Sequence, residues 1–148
     1  MKKRILIAGM ILACASVSAV IAAEPAPLSM PQQCAVNGQN YQAAVEFIKQ
    51  LKVALNANDA AAFAKLGNYP VRINQGDDIH YTVKSVQDMM IRYPVIMTQT
   101  MKTNILAQQS TDIFCNDEGS TTGKGEIWFD AQPTGALFFV INTMQAGS

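Results

Sequence analysis

The segment that decides the fold is Ala136-Leu137-Phe138-Phe139-Val140-Ile141, a run of six apolar residues. A strand with one solvated face alternates apolar and polar side chains, whereas this run is apolar on both faces. We therefore predict a strand over 136–141 in the middle of a sheet. Two further strands are predicted upstream, over 113–115 and 127–129.

Two helices are predicted before any strand. Apolar residues recur at three- and four-residue steps from Tyr41 to Leu55, and Asn40 is suited to cap the start of this helix. Asp59 can cap a second, short helix over 60–66. The two helices would form a helical hairpin.

Alternating apolar and polar residues predict a β-hairpin in the middle of the chain, with strands near 71–74 and 79–84. Ser85 and Asp88 have the spacing of a capping box for the next helix, which Pro94 is expected to end. Pro94 would then begin another helix that runs to about Ala107.

This order of elements predicts the fold class α+β. Helices precede most of the strands, and no βαβ alternation is visible. We expect the N-terminal helical hairpin and the middle helices to pack on one face of a curved antiparallel sheet.

The first residues have the pattern of an export signal. A charged start, Met1 to Arg4, precedes an apolar run that ends in small residues at Ala23, so a signal peptide is predicted over 1–23. An uncleaved anchor is one alternative. Lipid attachment at Cys14 is another, although Leu12 is larger than the residue usual in a lipoprotein signal. The protein is therefore expected to be periplasmic or secreted, with no stable membrane span after cleavage.

The remaining chain divides into a short lead-in and one domain. Three prolines lie within 24–33, so 24–40 is predicted to be an extended lead-in and 41–148 a single α+β domain. Hydrophobic residues make up 49% of the chain and charged residues 15%, which argues against intrinsic disorder. Loss of the signal removes three basic residues and leaves 8 against 11 acidic ones, a net charge of −3. A nucleic-acid partner is not expected for such a chain.

Signal cleavage would leave two cysteines, Cys34 and Cys115. An exported protein folds in an oxidising compartment, so one disulfide between them is expected. Two buried free thiols are the alternative.

The sequence contains no motif that points to catalysis. The only histidine, His80, follows Asp77 and Asp78, and this trio could bind a metal or act as a base, but a solvated turn is the preferred interpretation. No HExxH, CxxC, phosphate-loop or GxSxG motif occurs. We predict no catalytic residue, no metal site and no cofactor, and hence a protein that is not an enzyme.

The most distinctive segment runs from Asn116 to Phe129 and is rich in glycine. The preferred interpretation is a long hairpin whose glycines relieve strain, with Trp128 in the core. The functional alternative is a protruding loop that binds a partner through four residues, Asp117, Glu118, Lys124 and Trp128.

The layout and the motif Gly125-Glu126-Ile127-Trp128-Phe129 resemble small exported bacterial proteins of the cystatin-like or nuclear-transport-factor-like cone group. The resemblance spans roughly 41–142. It implies a fold whose members include ligand-pocket proteins, isomerases and dehydratases, and partner-binding modules. The Asp and His acid/base pair of the enzymatic members has no match here unless His80 points inward.

Two functions follow as hypotheses. The first is a non-catalytic periplasmic binding protein, an inhibitor or immunity-type protein that occludes a protein target in the cell envelope. The second is a small-ligand-binding or enzymatic cone whose apolar pocket would be lined by His80, Tyr81 and Glu126.

Overall fold

The computed structural model describes residues 26–76 and 79–143, which form five helices and one six-stranded sheet. The helices are α1 (Met30–Val36), α2 (Tyr41–Asn56), α3 (Ala60–Lys65), α4 (Val86–Ile96) and α5 (Gln99–Ala107). The strands are β1 (Gly67–Gln75), β2 (Ile79–Val83), β3 (Ile113–Asn116), β4 (Gly119–Thr122), β5 (Ile127–Gln132) and β6 (Gly135–Thr143). The fold class is α+β, as predicted.

The strands are ordered β2-β1-β6-β5-β4-β3 across the sheet. The apolar strand β6 lies between β1 and β5, which confirms its predicted position in the interior of the sheet. All neighbours are antiparallel except β1 and β6, which are parallel. The sheet is thus mostly antiparallel, as predicted, and the one parallel pair joins strands that are far apart in the chain, which leaves room for the long connection that parallel pairing needs.

The hydrophobic core lies between the helices and one face of the sheet. Phe47 of α2 stacks on Phe129 of β5 at 4.3 Å between ring centroids, and Phe63 of α3 stacks on Phe138 of β6 at 5.0 Å. All four rings are buried. Burial of each such side chain contributes about 1.5 to 3 kcal/mol, so these pairs anchor the helical layer to the strands.

The predicted helix caps are present at the helical hairpin. The Asn40 side chain accepts a hydrogen bond from the Ala43 amide at 2.9 Å, and the Asp59 carboxylate accepts from the Ala61 and Ala62 amides. Each cap satisfies amides that the first helical turn leaves without intrahelical partners.

The lead-in prediction is wrong over Met30–Val36, which forms helix α1. Pro31 lies in the first turn, where an absent N–H costs nothing, and the Gln32 side chain accepts from the Ser29 amide at 3.0 Å. Cys34 is buried and forms the expected disulfide with Cys115, with an S–S distance of 2.01 Å. The disulfide joins α1 to the edge strand β3.

The expected helix break at Pro94 is also wrong, because α4 continues to Ile96. Met90 and Pro94 are both exposed, so water can solvate the Met90 carbonyl that has no N–H partner at Pro94. Helix α5 begins only at Gln99, and the Thr98 hydroxyl caps it.

The glycine-rich segment is not a protruding loop throughout, because its residues Gly119–Thr122 form the interior strand β4. All four residues are buried. The hydroxyls of Ser120 and Thr121 donate to Gln39 Oε1 and to the Ile127 carbonyl, at 3.1 and 2.9 Å. Internal hydrogen bonds thus allow a polar segment to occupy the interior of the sheet.

The predicted signal over 1–23, the alternative lipid site Cys14, and Asp77 and Asp78 lie outside the described residues. Among the helices that are described, none has the length and apolar character needed to cross a bilayer.

Candidate functional site: the helix-free face of the sheet

One face of the sheet carries no helix of the described structure. Strand alternation sends the side chains of Ile113, Phe129, Ile141 and Ile73 toward the helices, and all four are buried. The opposite set points away from the helices. We call this second surface the helix-free face.

The strand register aligns one residue from each strand in a continuous row across the helix-free face. In spatial order from β3 to β2 the row is Phe114, Thr121, Trp128, Val140, Arg72 and Thr82. Phe114 is 47% exposed, and Trp128 and Val140 are half-buried. We call its three apolar members, Phe114, Trp128 and Val140, the apolar row. Large apolar side chains that are partly exposed on one face are a feature of interaction surfaces.

A third aromatic ring, that of Phe139, reaches this row from β6. The Phe139 ring lies so close to Gly119 that a Cβ there would be 3.2 Å from the ring and 3.0 Å from the Phe129 carbonyl oxygen. Gly119 also has a φ of +140°, a conformation that a residue with a side chain rarely adopts. Glycine at 119 therefore lets the Phe139 ring lie against β4.

Polar side chains form a hydrogen-bonded group beside the apolar row. Arg72 Nε donates to Asn74 Oδ1 at 2.8 Å, and Asn74 Nδ2 donates to Asn142 Oδ1 at 2.7 Å. Asn142 Nδ2 in turn donates to the Gly125 carbonyl at 2.6 Å. These bonds hold the Arg72 guanidinium next to the apolar row.

The apolar row and the polar group enclose a depression of about 430 Å³. Its lining residues are Arg72, Asn74, Glu118, Trp128, Phe139, Val140 and Asn142. The site thus combines aromatic rings and one cation of the sheet with one anion of the turn between β3 and β4.

The structure separates the four residues predicted to bind a partner. Asp117 and Glu118 are exposed in the turn between β3 and β4, and only Glu118 lines the depression, where Trp128 also lies. Trp128 is half-buried on the helix-free face, so it is neither a fully exposed anchor nor a residue of the helical core. Lys124 lies in the next turn and lines a different cavity.

The three residues of the alternative pocket are not brought together. His80 pairs with Asn74 and is exposed on the helix-free face, while Tyr81 pairs with Ile73 and is half-buried on the helical side. Burial raises the pKa of Tyr81, and Arg92 lies 5.4 Å from its ring centroid and partly offsets that rise. Glu126 precedes β5 and lines the cavity that contains Lys124.

Glu126 forms a second polar site. It is 1% exposed, and its Oε2 accepts from the Lys124 amide at 3.1 Å, Gln108 Nε2 at 3.3 Å and the Thr122 hydroxyl at 3.5 Å. Its other oxygen, Oε1, is buried without a hydrogen-bond partner.

Several residues of these sites carried no functional prediction. The alternation of Arg72 and Asn74 along β1 did indicate that they share a face, but nothing local relates them to Phe139 or Asn142. Gln108, which follows α5, has no motif that would relate it to Glu126.

No group of three His, Cys, Asp or Glu side chains within 26–76 and 79–143 is arranged to hold a metal ion. Comparisons of the chain with protein-family models, with characterised proteins and with solved structures find no match.

Proposed function

We propose that the protein is a non-catalytic binding protein of the bacterial periplasm, of the inhibitor or immunity type, and that it occludes a protein target with its helix-free face. The observation that carries this proposal is the row of side chains across that face, in which Phe114, Trp128 and Val140 lie in line with Arg72.

The composition of the surface supports a protein partner. Aromatic residues and arginine are enriched in the energetically dominant part of protein interfaces. Trp128 and Phe139 are held by neighbouring strands, so little side-chain entropy remains to be lost on binding. Glu118 and Arg72 at the edge of the depression offer charges of both signs for orienting a partner.

The disulfide supports the proposed compartment. Disulfides such as Cys34–Cys115 persist in oxidising environments, and the predicted signal over 1–23 would deliver the chain to one. The proposal of a periplasmic protein rests on these two features together.

The positions of His80 and Tyr81 favour a binding role over the alternative of a pocket. The alternative of a ligand-binding or enzymatic cone requires His80 and Tyr81 to face one pocket, and they lie on opposite faces of β2. The resemblance to the cystatin-like or nuclear-transport-factor-like group stays a prediction from the sequence.

Site-specific photo-crosslinking in the periplasm tests the proposal. A photoreactive amino acid at position 114 should yield one discrete crosslinked protein. The same amino acid at position 53 of α2, where Val53 is 70% exposed on the helical side, should not. Crosslinks from position 53 with none from position 114 would refute the assignment of the helix-free face.

Truncation of the central aromatic residue then measures its contribution. Trp128→Ala should weaken binding of the crosslinked partner by about thirtyfold, because truncation of an interface hot spot costs about 2 kcal/mol or more. Ile91→Ala, a matched truncation at an exposed position of α4, should leave the affinity unchanged. Circular dichroism of both variants checks that the fold is retained.

A further inference from the structure

Only one of the two oxygens of the Glu126 carboxylate accepts hydrogen bonds. Three donors converge on Oε2, while Oε1 is buried and accepts no hydrogen bond from the protein. A buried acceptor without a donor destabilises the folded state, and more so when the group is charged. Such an oxygen stands out from the buried polar atoms of a folded protein, which are normally paired.

Glu126 also lines a cavity of about 530 Å³ at the end of α5. The other lining residues are Asn104, Ala107, Gln108, Asp112, Gly123 and Lys124. Ionised, Glu126 and Asp112 contribute two negative charges and Lys124 one positive charge, so the lining has a net charge of −1. The side-chain amide of Gln108 adds a further hydrogen-bonding group.

The position of Gln108 depends on a glycine. A Cβ at position 123 would lie 2.7 Å from Gln108 Cδ, so only glycine there leaves room for the amide. The Lys52 ammonium donates a hydrogen bond to the Gln108 carbonyl and thereby holds the backbone of Gln108. The Gln108 amide is thus placed between Gly123 and Glu126, with its nitrogen directed to Oε2.

We infer that this cavity is a binding site for a small organic cation that carries N–H donors, an alkylammonium or guanidinium group, and that Glu126 Oε1 is its principal acceptor. Because Oε1 is buried, a lining side chain must move aside before a cation can reach it. A charged N–H donor would then satisfy the unpartnered oxygen and offset the negative charge of the lining. The two sources of such a group are a free amine and the basic side chain of a protein partner. This inference is independent of the function proposed for the helix-free face.

Titration of the ¹⁵N-labelled protein tests the inference with three probes of graded chemistry. Methylguanidinium and n-butylammonium chloride should shift the Lys124 backbone amide and the Gln108 side-chain amide, with dissociation constants in the millimolar range. Tetramethylammonium chloride has the charge but no N–H donor, and should shift neither signal. Equal responses to tetramethylammonium would overturn the assignment of Oε1 as a hydrogen-bond acceptor.

Glu126→Gln should weaken methylguanidinium binding at least about tenfold. The amide oxygen of the variant can keep the three donors that Glu126 Oε2 now binds, so its NH₂ group would replace the unpartnered Oε1 and repel a donor. Unchanged affinity would show that Glu126 is not the acceptor.

Two exposed carboxylates keep the test valid if Glu126→Gln fails to fold. Asp112→Asn removes the second negative charge of the lining and should weaken binding a few-fold, while Glu46→Gln on α2 should have no effect. If both variants weakened cation binding equally, the binding would reflect only the general negative charge of the protein, and the inference would be contradicted.

Nα-acetylarginine amide distinguishes the two sources. Binding at least as tight as that of methylguanidinium would assign the cavity to the basic side chain of a partner. If Nα-acetylarginine amide did not bind while n-butylammonium still bound, the cavity would be assigned to a free amine.

Discussion

At the residue scale, single polar side chains join distant parts of the chain. Gln39, which precedes α2, accepts from the Ala131 amide at 2.8 Å and from the Ser120 hydroxyl at 3.1 Å, and it donates to Asp130 Oδ1 at 3.1 Å. Its side chain thereby connects α2 to both β4 and β5. A buried group with this many partners contributes to a unique packing of the core, because a misplaced helix would leave them unpaired.

Tyr69 makes the stability of the fold depend on pH in the alkaline range. Its hydroxyl donates to the Ala64 carbonyl at 2.6 Å, and burial, with a smaller effect of the Asp88 charge, raises the pKa of Tyr69 to about 12. Burial is also the largest cause that raises the pKa of Tyr81 and Tyr93. Because the fold favours the neutral phenol, this contribution is complete below pH 10 and is lost as the pH rises from 10 to about 12.

Urea denaturation at increasing pH, followed by circular dichroism, tests the role of Tyr69. We expect the urea midpoint of the parent protein to fall steadily above pH 10. In Tyr69→Phe the fall should be shallower, although the variant is less stable at neutral pH because it loses the bond to Ala64. A parent and variant with the same slope between pH 10 and 12 would contradict the assigned role of Tyr69.

At the element scale, α4 shows how local bonds set the limits of a helix. The Ser85 hydroxyl accepts from the Asp88 amide at 3.1 Å, and Asp88 accepts from the Lys84 amide and from Arg92 Nε. The hydrogen bond from Arg92, with a smaller effect of the Lys84 amide, lowers the pKa of the Asp88 carboxyl. The strong start of the helix, together with burial of Tyr93 and Ile96, stabilises α4 past Pro94.

Replacement of Pro94 should therefore stabilise the protein. In Pro94→Ala the new N–H can donate to the Met90 carbonyl, and helix propensity improves, so we expect a gain of about 1 to 3 kcal/mol in the free energy of unfolding. Urea denaturation measures the gain, with Val95→Ala at the adjacent exposed position as the control, changing stability by less than about 0.5 kcal/mol. A loss of stability in Pro94→Ala would mean that the proline ring itself is needed in the helix.

At the scale of the whole molecule, a single helical layer covers one side of a six-stranded sheet. Helix α1 packs on the edge strand β3, and the Cys34–Cys115 disulfide holds it there. The two cysteines are 81 residues apart, so the bond also restricts most of the unfolded chain.

Removal of the disulfide should cost about 4 to 5 kcal/mol in the free energy of unfolding, the value of a closed loop of this length. The double variant Cys34→Ala/Cys115→Ala measures the loss by urea denaturation, and the reduced parent protein serves as its control. A loss below about 1 kcal/mol in both samples would show that α1 is held by packing alone.

The local elements were predictable from the sequence because short-range patterns specify them. The spacing from Tyr41 to Leu55 identifies α2, alternation identifies β1 and β2, and the apolar run over 136–141 identifies an interior strand. The disulfide also followed from the sequence, since export would leave only two cysteines to pair. The helices and strands depend on periodicity within a single segment, and the disulfide depends on the number of cysteines in the exported chain.

The tertiary structure alone decided the parallel pairing of β1 with β6, the strand β4 in a glycine-rich segment, and both candidate sites. Of the four predicted contact residues, only Glu118 and Trp128 share the depression, and Gln108 meets Glu126 through folding alone. Alternation tells which side of a strand a residue occupies, but not which strand lies beside it. The neighbours of a side chain depend on register and on long-range packing, and these form only when the whole chain closes its core.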